Sequence, residues 1–229
     1  MNFLKWLFGK SKIKQGNKNA DAELLPTLGD ENSKAEINKF LDNLSADWEP
    51  IKGQATKYFD NYSRLREDGA AQISRRPWVA PLNFGLLIFP PVNKSWLDEF
   101  HTQTNIKIPL FYRDILLQVN GCFVYDFSLY GLPKSIYTTG ILDRSYLQQY
   151  DLGTANMYWK HEYKVDNSLF YIGGRHYSFD ENLGYFLNGN QILSVRKNGE
   201  ILNTWATFKD FLFEEINVAE EHMIKQKGS

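Results

Sequence analysis

IPLFYRDILLQVNG, residues 108–121, is the stretch of the chain that decides the fold. Pro109 suits the first position of a helix, because its missing N–H costs nothing there and its φ is already close to helical. Asn120-Gly121 ends the helix, since glycine adopts the left-handed conformation without strain. Apolar side chains between these signals form a broad stripe at helical spacing, namely Leu110, Ile115, Leu116 and Val119, with Phe111 and Tyr112 beside them. We therefore predict a short, largely apolar helix at the centre of a hydrophobic core.

The composition is that of an ordinary globular protein with a surplus of aromatic residues. The 229 residues are 43% hydrophobic and 23% charged, so a sizeable core can form. The net charge of −1 gives no overall field that would attract nucleic acid or a membrane. Aromatic residues make up 15% of the chain, and such side chains supply core volume and interface contacts. The lone cysteine, Cys122, excludes an intramolecular disulfide and a cysteine-based zinc cluster.

Residues 1–18, MNFLKWLFGKSKIKQGNK, form a basic and apolar N-terminal segment with five lysines and no acidic residue. This pattern fits a weak interfacial anchor at the inner face of a membrane. A signal peptide fits poorly, because the apolar run is short and positive charge follows it. A frayed terminus, or a short helix docked on its own domain, would give the same pattern. We expect a cytoplasmic protein, with weak peripheral membrane contact through residues 1–18 under the first interpretation.

The rest of the chain divides into a linker at residues 19–33, a helical extension at 34–89 and a main domain at 90–220. The linker is polar and is interrupted by proline and glycine. In the extension, Pro50 forbids one straight helix, so we expect two helices or a kink there. The later part of the extension is predicted to be mostly extended or irregular, with one short strand near its end.

Cap signals mark the predicted starts of three helices. A serine or threonine followed three residues later by an acidic residue can satisfy free N–H groups in the first turn of a helix. Such pairs occur at Ser33–Glu36, Ser95–Asp98 and Thr207–Asp210. The last pair opens a helix with one apolar stripe, formed by Phe208, Phe211, Leu212, Ile216 and Ala219. A further helix is expected from about Asp143.

From residue 168 onward, short apolar runs alternate with turn signals, which is typical of an antiparallel meander. Asn188-Gly189-Asn190 and Asn198-Gly199 each separate two predicted strands. The second signal favours a type I′ hairpin turn. Helices first, a sheet second and a closing helix predict an α+β fold. We expect helices packed on a single antiparallel meander sheet with a C-terminal helix, plus the N-terminal helical extension.

Four segments resemble the SUKH superfamily in their order and spacing. They are the Ile108-Pro109 helix ending at Asn120-Gly121, the strand LFYIGG at 169–174, the strand GYFL at 184–187, and WATF at 205–208 leading into Phe211-Leu212. That superfamily includes yeast cell-wall-assembly regulators and bacterial immunity proteins against polymorphic toxins. The resemblance implies helices on one antiparallel sheet, and a non-catalytic protein that neutralises a toxin by direct binding. It leaves the part of the chain before about residue 85 unexplained.

No residue pattern for catalysis or metal binding occurs in the sequence. The four histidines are scattered and have no metal-ligand spacing: His101, His161, His176 and His222. Cys122 precedes an apolar strand, so we expect a buried, unreactive thiol. Gly173-Gly174 is not followed by the helix that a phosphate loop needs, and we interpret it as a strand turn. We therefore expect no enzyme activity, no metal and no other cofactor.

The partner that the resemblance implies is a cognate toxin domain, for which a nuclease is one candidate. Nucleic acid itself is disfavoured, because Glu67 and Asp68 interrupt the arginines between residues 64 and 76. Contact residues are predicted in loops and at the sheet edge: Asp143, Tyr150, Asp151, Tyr158, Trp159, Glu162, Asp180 and Glu181. Core packing of each aromatic residue and simple solvation of each acidic residue would explain them as well. The alternative function is a membrane-apposed regulatory or scaffold protein tethered by residues 1–18.

Overall fold

The computed structural model describes residues 29–80, 83–133, 151–176 and 182–228. These residues contain six α-helices: α1 Glu31–Asp42, α2 Glu49–Lys57, α3 Lys94–Thr104, α4 Leu110–Leu116, α5 Leu152–Met157 and α6 Phe208–Gly228. Two 3₁₀ helices, Ala46–Trp48 and Trp159–Glu162, precede α2 and follow α5. The basic N-terminal segment, most of the predicted linker and the helix expected from Asp143 lie outside the described residues.

One antiparallel sheet of nine strands runs through these parts of the chain. The strands are β1 Arg64–Leu65, β2 Ala71–Arg75, β3 Phe84–Ile88, β4 Cys122–Val124, β5 Phe127–Leu129, β6 Phe170–His176, β7 Asn182–Asn188, β8 Gln191–Arg196 and β9 Ile201–Trp205. Each strand pairs with the next along the chain, so the spatial order equals the sequence order. Helix α6 packs against β5 and β9. The predicted α+β fold, a single antiparallel meander with a C-terminal helix, is confirmed.

The range 34–89 contains helices in its first part and strands in its second. Pro50 lies in the first turn of α2, and the predicted separation into two helices is confirmed. Strands β1 to β3 join the same sheet as the others, because β3 pairs with β4. Trp48 is fully buried, and its ring meets that of Phe208 edge-on at 5.1 Å between centroids. The N-terminal helices therefore share one hydrophobic core with α6.

Two of the three predicted helix caps are wrong. The backbone N–H of Ser33 donates to Oδ1 of Asp30 at 2.5 Å, so Asp30 is the N-cap of α1. The N–H of Trp96 donates to Oδ1 of Asn93 at 2.7 Å, so Asn93 is the N-cap of α3. In both cases the side-chain oxygen of a residue before the serine accepts the hydrogen bond from the N–H of the third helical residue. The helix therefore begins earlier than predicted. The pair Thr207–Asp210 at the start of α6 is confirmed, with Asp210 N–H donating to Thr207 Oγ1 at 3.1 Å.

Helix α4 lies at the centre of the core, as predicted. Tyr112 is fully buried, and its hydroxyl donates to the carbonyl oxygen of Tyr130 at 2.6 Å. The same hydroxyl lies 3.1 Å from the carbonyl oxygen of Ile172 on β6. One member of the predicted stripe is wrong, because Leu110 is 78% exposed. Leu110 is the first residue of α4 and does not belong to the buried face of the helix.

Asn120 and Gly121, which follow α4, contact the residues at the end of β5 and just after it. The Asn120 side chain accepts a hydrogen bond from Leu132 N–H at 2.7 Å and donates one to the Leu132 carbonyl at 2.8 Å. Gly121 has a φ of 82°, and a Cβ there would lie 2.7 Å from the carbonyl oxygen of Leu129. The prediction that Asn120-Gly121 ends the helix is wrong, because α4 ends at Leu116 with Leu117 as its C-cap. The pair instead allows two backbones to approach closely.

The predicted strand turn at Gly173-Gly174 is wrong, because both glycines lie inside β6, between β5 and β7. A Cβ on Gly173 would lie 2.2 Å from the carbonyl oxygen of Ser128. A Cβ on Gly174 would lie 2.7 Å from the carbonyl oxygen of Leu183. The pairing of β6 with β7 is irregular between Tyr171 and Gly173. The glycines therefore mark a close approach of three strand backbones.

The two predicted hairpins form, and one has a different turn type. Gly199 N–H donates to the Arg196 carbonyl at 2.9 Å, and Gly199 has a φ of 91°. Asn198 has no positive φ, whereas a type I′ turn requires positive φ at both central residues. The connection from β8 to β9 is a type I turn followed by a left-handed glycine. Gly189, with a φ of 61°, makes the predicted turn between β7 and β8.

The second half of α6 is held by partly buried polar contacts. Glu220 accepts hydrogen bonds from Gln54 Nε2 at 2.8 Å, from Lys57 Nζ at 2.6 Å and from the hydroxyl of Tyr58. Burial alone would raise the pKa of Glu220, but these donated hydrogen bonds outweigh it and lower the pKa. His222 Nδ1 lies 2.8 Å from Asp126 Oδ2 at the end of the β4–β5 hairpin. The closing helix is therefore bound to both α2 and the sheet.

Candidate functional site

Residues 151–163 form a short platform segment built from α5 and the following 3₁₀ helix. Asp151 is the N-cap of α5 and accepts hydrogen bonds from Gly153 N–H at 2.8 Å and from the Thr154 hydroxyl at 2.7 Å. Both carboxylate oxygens of Asp151 are therefore used within the segment. Asp151, which was predicted to contact a partner, has a local structural role.

Asn156 fixes the platform segment to the sheet. Its side chain donates to the Tyr171 carbonyl at 2.8 Å and accepts from the Tyr171 N–H at 2.9 Å. It also donates to the Leu152 carbonyl at 2.9 Å. Loss of these hydrogen bonds would leave a buried amide without partners, which costs free energy. The segment is therefore held in one position on β6.

The surface of the platform segment is apolar and aromatic. Met157 is 42% exposed and Tyr158 is 66% exposed. Trp159 is half-buried, and its ring meets that of Tyr130 edge-on at 5.6 Å between centroids. Methionine and aromatic residues are enriched in protein interfaces relative to the rest of the surface. Three such residues in a row on a fixed backbone are a candidate contact surface.

A cleft of about 370 Å³ opens beside this surface. Its aromatic lining residues are Trp159, which is half-buried, and the buried Tyr130, Tyr163 and Tyr171. Its polar lining consists of Glu162, His176, Asn182 and Lys197. We call this feature the aromatic cleft. Its volume is at the lower end of the range for ligand sites, about 300–1,000 Å³.

The phenol hydroxyls in the aromatic cleft form a loose chain. The hydroxyl oxygens of Tyr130 and Tyr171 are 3.4 Å apart, and those of Tyr171 and Tyr163 are also 3.4 Å apart. Hydroxyl pairs normally lie about 2.7–2.8 Å apart, so these contacts are weak. Burial raises the pKa of Tyr163 and of Tyr171. The phenols of Tyr163 and Tyr171 therefore stay protonated and neutral at physiological pH.

The charged groups of the aromatic cleft lie at its rim. Lys197 Nζ is 3.3 Å from Glu162 Oε2, with the two side chains 43% and 56% exposed. An ion pair this exposed contributes about 0–1 kcal/mol. His176 keeps exposed ring surface, yet loss of water on its inner side lowers its pKa, so its ring is neutral near pH 7. Nδ1 of His176 lies 3.3 Å from Oδ1 of Asn182.

Four of the predicted contact residues belong to the platform segment: Asp151, Tyr158, Trp159 and Glu162. Trp159 and Glu162 also line the aromatic cleft, whereas Asp151 caps α5. The other four, Asp143, Tyr150, Asp180 and Glu181, lie outside the described residues. Tyr163 also belongs to the platform segment, and the other cleft residues come from β6, β7, the residue after β8 and the chain after β5. No spacing in the sequence connects these positions.

The described residues contain no group of three or more His, Cys, Asp or Glu side chains arranged to hold a metal ion. Cys122 is fully buried, and burial raises the pKa of its thiol to about 12. It therefore lacks the thiolate character that a nucleophile requires. Among the described helices, none has the length and apolar character that crossing a membrane would demand.

The geometry defines an α+β domain in which helices cover an antiparallel meander and an aromatic platform borders a small cleft. The chain belongs to the SMI1 / KNR4 family (SUKH-1), whose family model matches residues 91–214. The predicted membership of the SUKH superfamily is thereby confirmed. No curated protein and no solved structure gives a significant match.

Proposed function

We propose that the protein is a non-catalytic immunity protein that neutralises a cognate bacterial toxin by direct binding. Family membership supports this class of function, because the SUKH superfamily includes such proteins. The observation that carries the proposal is the run of exposed Met157, exposed Tyr158 and half-buried Trp159 on a backbone fixed by Asn156. A rigid surface of aromatic residues loses little conformational entropy on binding, which favours affinity for a protein.

The contact surface that we propose centres on the platform segment and the rim of the aromatic cleft. Tyr158 offers the largest exposed ring, Trp159 a half-buried anchor and Glu162 a carboxylate. Binding energy in interfaces is concentrated in a few such aromatic residues surrounded by a polar rim. Asp143, Tyr150, Asp180 and Glu181 remain proposed contacts from the sequence, and Asp151 supports the surface indirectly by capping α5.

Co-expression with the product of the neighbouring upstream gene tests this function, with growth and co-purification scored together. We expect the wild-type chain to restore growth and to co-purify in a stable complex. Tyr158→Ala should weaken the complex, because it removes an exposed ring from the proposed contact surface. Phe213→Ala is the matched control, since Phe213 is 60% exposed but lies on α6. Neither growth rescue nor a complex, or equal losses from both variants, would contradict the proposal.

The alternative function, a membrane-apposed regulatory or scaffold protein, rests on the basic and apolar residues 1–18. Cell fractionation of the full chain and of a form lacking residues 1–18 separates the two functions. Tethering predicts that the full chain sediments with membranes and that the shortened form does not. A full chain found wholly in the soluble fraction would remove the tether and leave the immunity proposal standing.

A further inference from the structure

The chain that follows β2 presents apolar residues to solvent beside the end of α6. Trp78 and Val79 are 43% and 49% exposed, and Ile224 on α6 is 55% exposed. The ammonium group of Lys227 lies 5.2 Å from the centroid of the Trp78 ring, which places the end of α6 against this turn. Ile224 precedes Lys227 by three residues and is therefore its neighbour on the helix surface. We call these four residues the Trp78 corner.

The backbone that carries Trp78 is attached firmly to the rest of the domain. Arg76 N–H donates to the Asn83 carbonyl at 2.8 Å, and Arg76 Nε donates to Oδ1 of Asn83 at 3.0 Å. Val79 N–H donates to the Arg76 carbonyl at 3.0 Å. The Arg76 side chain is buried, with its guanidinium 5.4 Å from the centroid of the Tyr125 ring. Trp78 is therefore exposed on a turn that the core holds in place.

The chain segments that meet at the Trp78 corner carry positive charge. Residues 69–97 contain three basic residues and no acidic residue. Residues 222–229 contain two lysines and no acidic side chain. Glu220 and Glu221 come just before this second stretch, and Glu220 is paired with Lys57 Nζ at 2.6 Å. The local charge is therefore complementary to an anionic surface, although the whole chain is nearly neutral.

The basic N-terminal segment connects to the described part of the chain near the Trp78 corner. Gly29 N–H donates to the carbonyl of Asn61 at 2.9 Å. The next residue, Tyr62, lies under Arg75, whose guanidinium is 4.5 Å from the centroid of its ring. Arg75 is the last residue of β2 and stands three residues before Trp78. Two basic and apolar parts of the sequence thus converge on one side of the molecule.

We infer that the Trp78 corner binds an anionic lipid surface, as a second membrane contact beside the basic N-terminal segment. The inference goes beyond the immunity function and does not depend on it. One weak amphipathic contact binds lipid only marginally, and stable anchoring takes two signals. Tryptophan is enriched where a membrane meets water, and Lys227 can keep its ammonium group at the headgroups while its stem lies on apolar surface.

The experiment is sedimentation of the full chain with vesicles of equal parts phosphatidylcholine and phosphatidylserine, and with vesicles of phosphatidylcholine alone. We expect binding to the anionic vesicles only. Trp78→Ala should lower the partition coefficient about tenfold, because the exposed indole no longer enters the lipid boundary. Lys227→Gln should lower it about fivefold, because one charge near the anionic surface is lost.

Two exposed residues in the first half of α6 provide matched controls for these substitutions. Phe213→Ala removes an aromatic ring that is 60% exposed, and Lys209→Gln removes an exposed charge. Both variants should bind the anionic vesicles as the wild type does. Quenching by lipids with brominated acyl chains then tests direct contact. The emission that wild type has in excess of Trp78→Phe should be quenched when both proteins are fully bound.

Three results would overturn the inference: equal binding to both kinds of vesicle, equal losses from Trp78→Ala and Phe213→Ala, or no quenching of the Trp78 emission. Stronger vesicle binding after Trp78→Ala would also contradict it, because the Trp78 corner would then hold residues 1–18 rather than lipid.

Growth rescue with the same variants separates this inference from the proposed function. Rescue by a wild-type chain that binds no vesicles would refute the lipid contact and retain immunity. Vesicle binding with the expected losses, but without rescue, would retain the lipid contact and refute immunity. Loss of rescue after Trp78→Ala with unchanged vesicle binding would assign the Trp78 corner to the toxin and refute the lipid contact.

Discussion

The hydroxyl of Tyr112 donates a 2.6 Å hydrogen bond to the carbonyl oxygen of Tyr130, a residue of the aromatic cleft. The helix at the centre of the core thus fixes the backbone of a residue at the candidate site. Tyr112→Phe removes this bond and leaves a buried carbonyl without that donor. We expect the free energy of unfolding to fall by about 1–3 kcal/mol, measured by urea denaturation.

Tyr158→Phe is the control for this effect, because it removes the hydroxyl of a side chain that is 66% exposed. Its unfolding free energy should stay within about 0.5 kcal/mol of that of the wild type. Similar values for the two variants would show that the buried hydroxyl of Tyr112 contributes little to stability.

Two glycine-to-alanine substitutions should have effects of opposite sign. Gly173→Ala places a Cβ 2.2 Å from the carbonyl oxygen of Ser128, so strands β5 and β6 must move apart. We expect a loss of about 3 kcal/mol or more, or a failure to fold. At Gly53 in α2, no atom lies within 4 Å of the added Cβ. Gly53→Ala should raise stability by up to about 1 kcal/mol, and thermal unfolding of both variants measures the difference.

Acid should weaken the attachment of α6 through Glu220. Its pKa lies below the ordinary value of 4.5, because the hydrogen bonds it accepts from Lys57, Tyr58 and Gln54 outweigh the opposing effect of burial. A carboxyl with a lowered pKa in the folded state stabilises the protein fully above that ordinary value. The contribution is lost as pH falls through the folded pKa, since the unfolded chain binds the proton first.

Glu220→Gln should therefore destabilise the protein at neutral pH by about 1–2 kcal/mol and much less near pH 3.5. Urea denaturation at both pH values measures the difference. Glu221→Gln, on the exposed side of the same helix, is the control and should stay within about 0.5 kcal/mol of the wild type at neutral pH. A constant difference between Glu220→Gln and the wild type across this range would contradict the assignment.

Cys122 should react with thiol reagents only when the protein unfolds. The thiol is fully buried, and its pKa is raised to about 12, so almost no thiolate is present or accessible. With an aromatic disulfide reagent, we expect no labelling of the native chain over the time in which the urea-unfolded chain reacts completely. Rapid labelling of the native chain would place the thiol at the surface.

The fold was predictable because the sequence patterns of its main elements agree with one another. The helix after Pro109, the two Asn-Gly hairpins and the stripe of α6 each follow from local rules that packing does not override. The predicted caps at Ser33 and Ser95 failed because competing residues, Asp30 and Asn93, stand just upstream. Local cap rules do not rank two candidates that lie within three residues of each other.

The candidate site was less predictable than the fold. The sequence predicts Tyr158, Trp159 and Glu162 as contact residues in loops or at the sheet edge, and the structure places them on one segment. The other side of the cleft depends on β6 and β8, with Tyr171 and Lys197 brought together only by strand pairing. The role of Gly173 was missed for the same reason, because a close approach of backbones is a tertiary property.

A sheet whose spatial order equals its sequence order can be lengthened at either end without breaking an existing strand pair. The family match begins at residue 91, after β3, so β1 to β3 precede the shared region. They are added to the free side of β4, and every pairing from β4 to β9 remains the same with or without them. The topology therefore permits strands to be added before β4 without inserting any segment between β4 and β9. In this chain α1 and α2 contribute to the enlarged core.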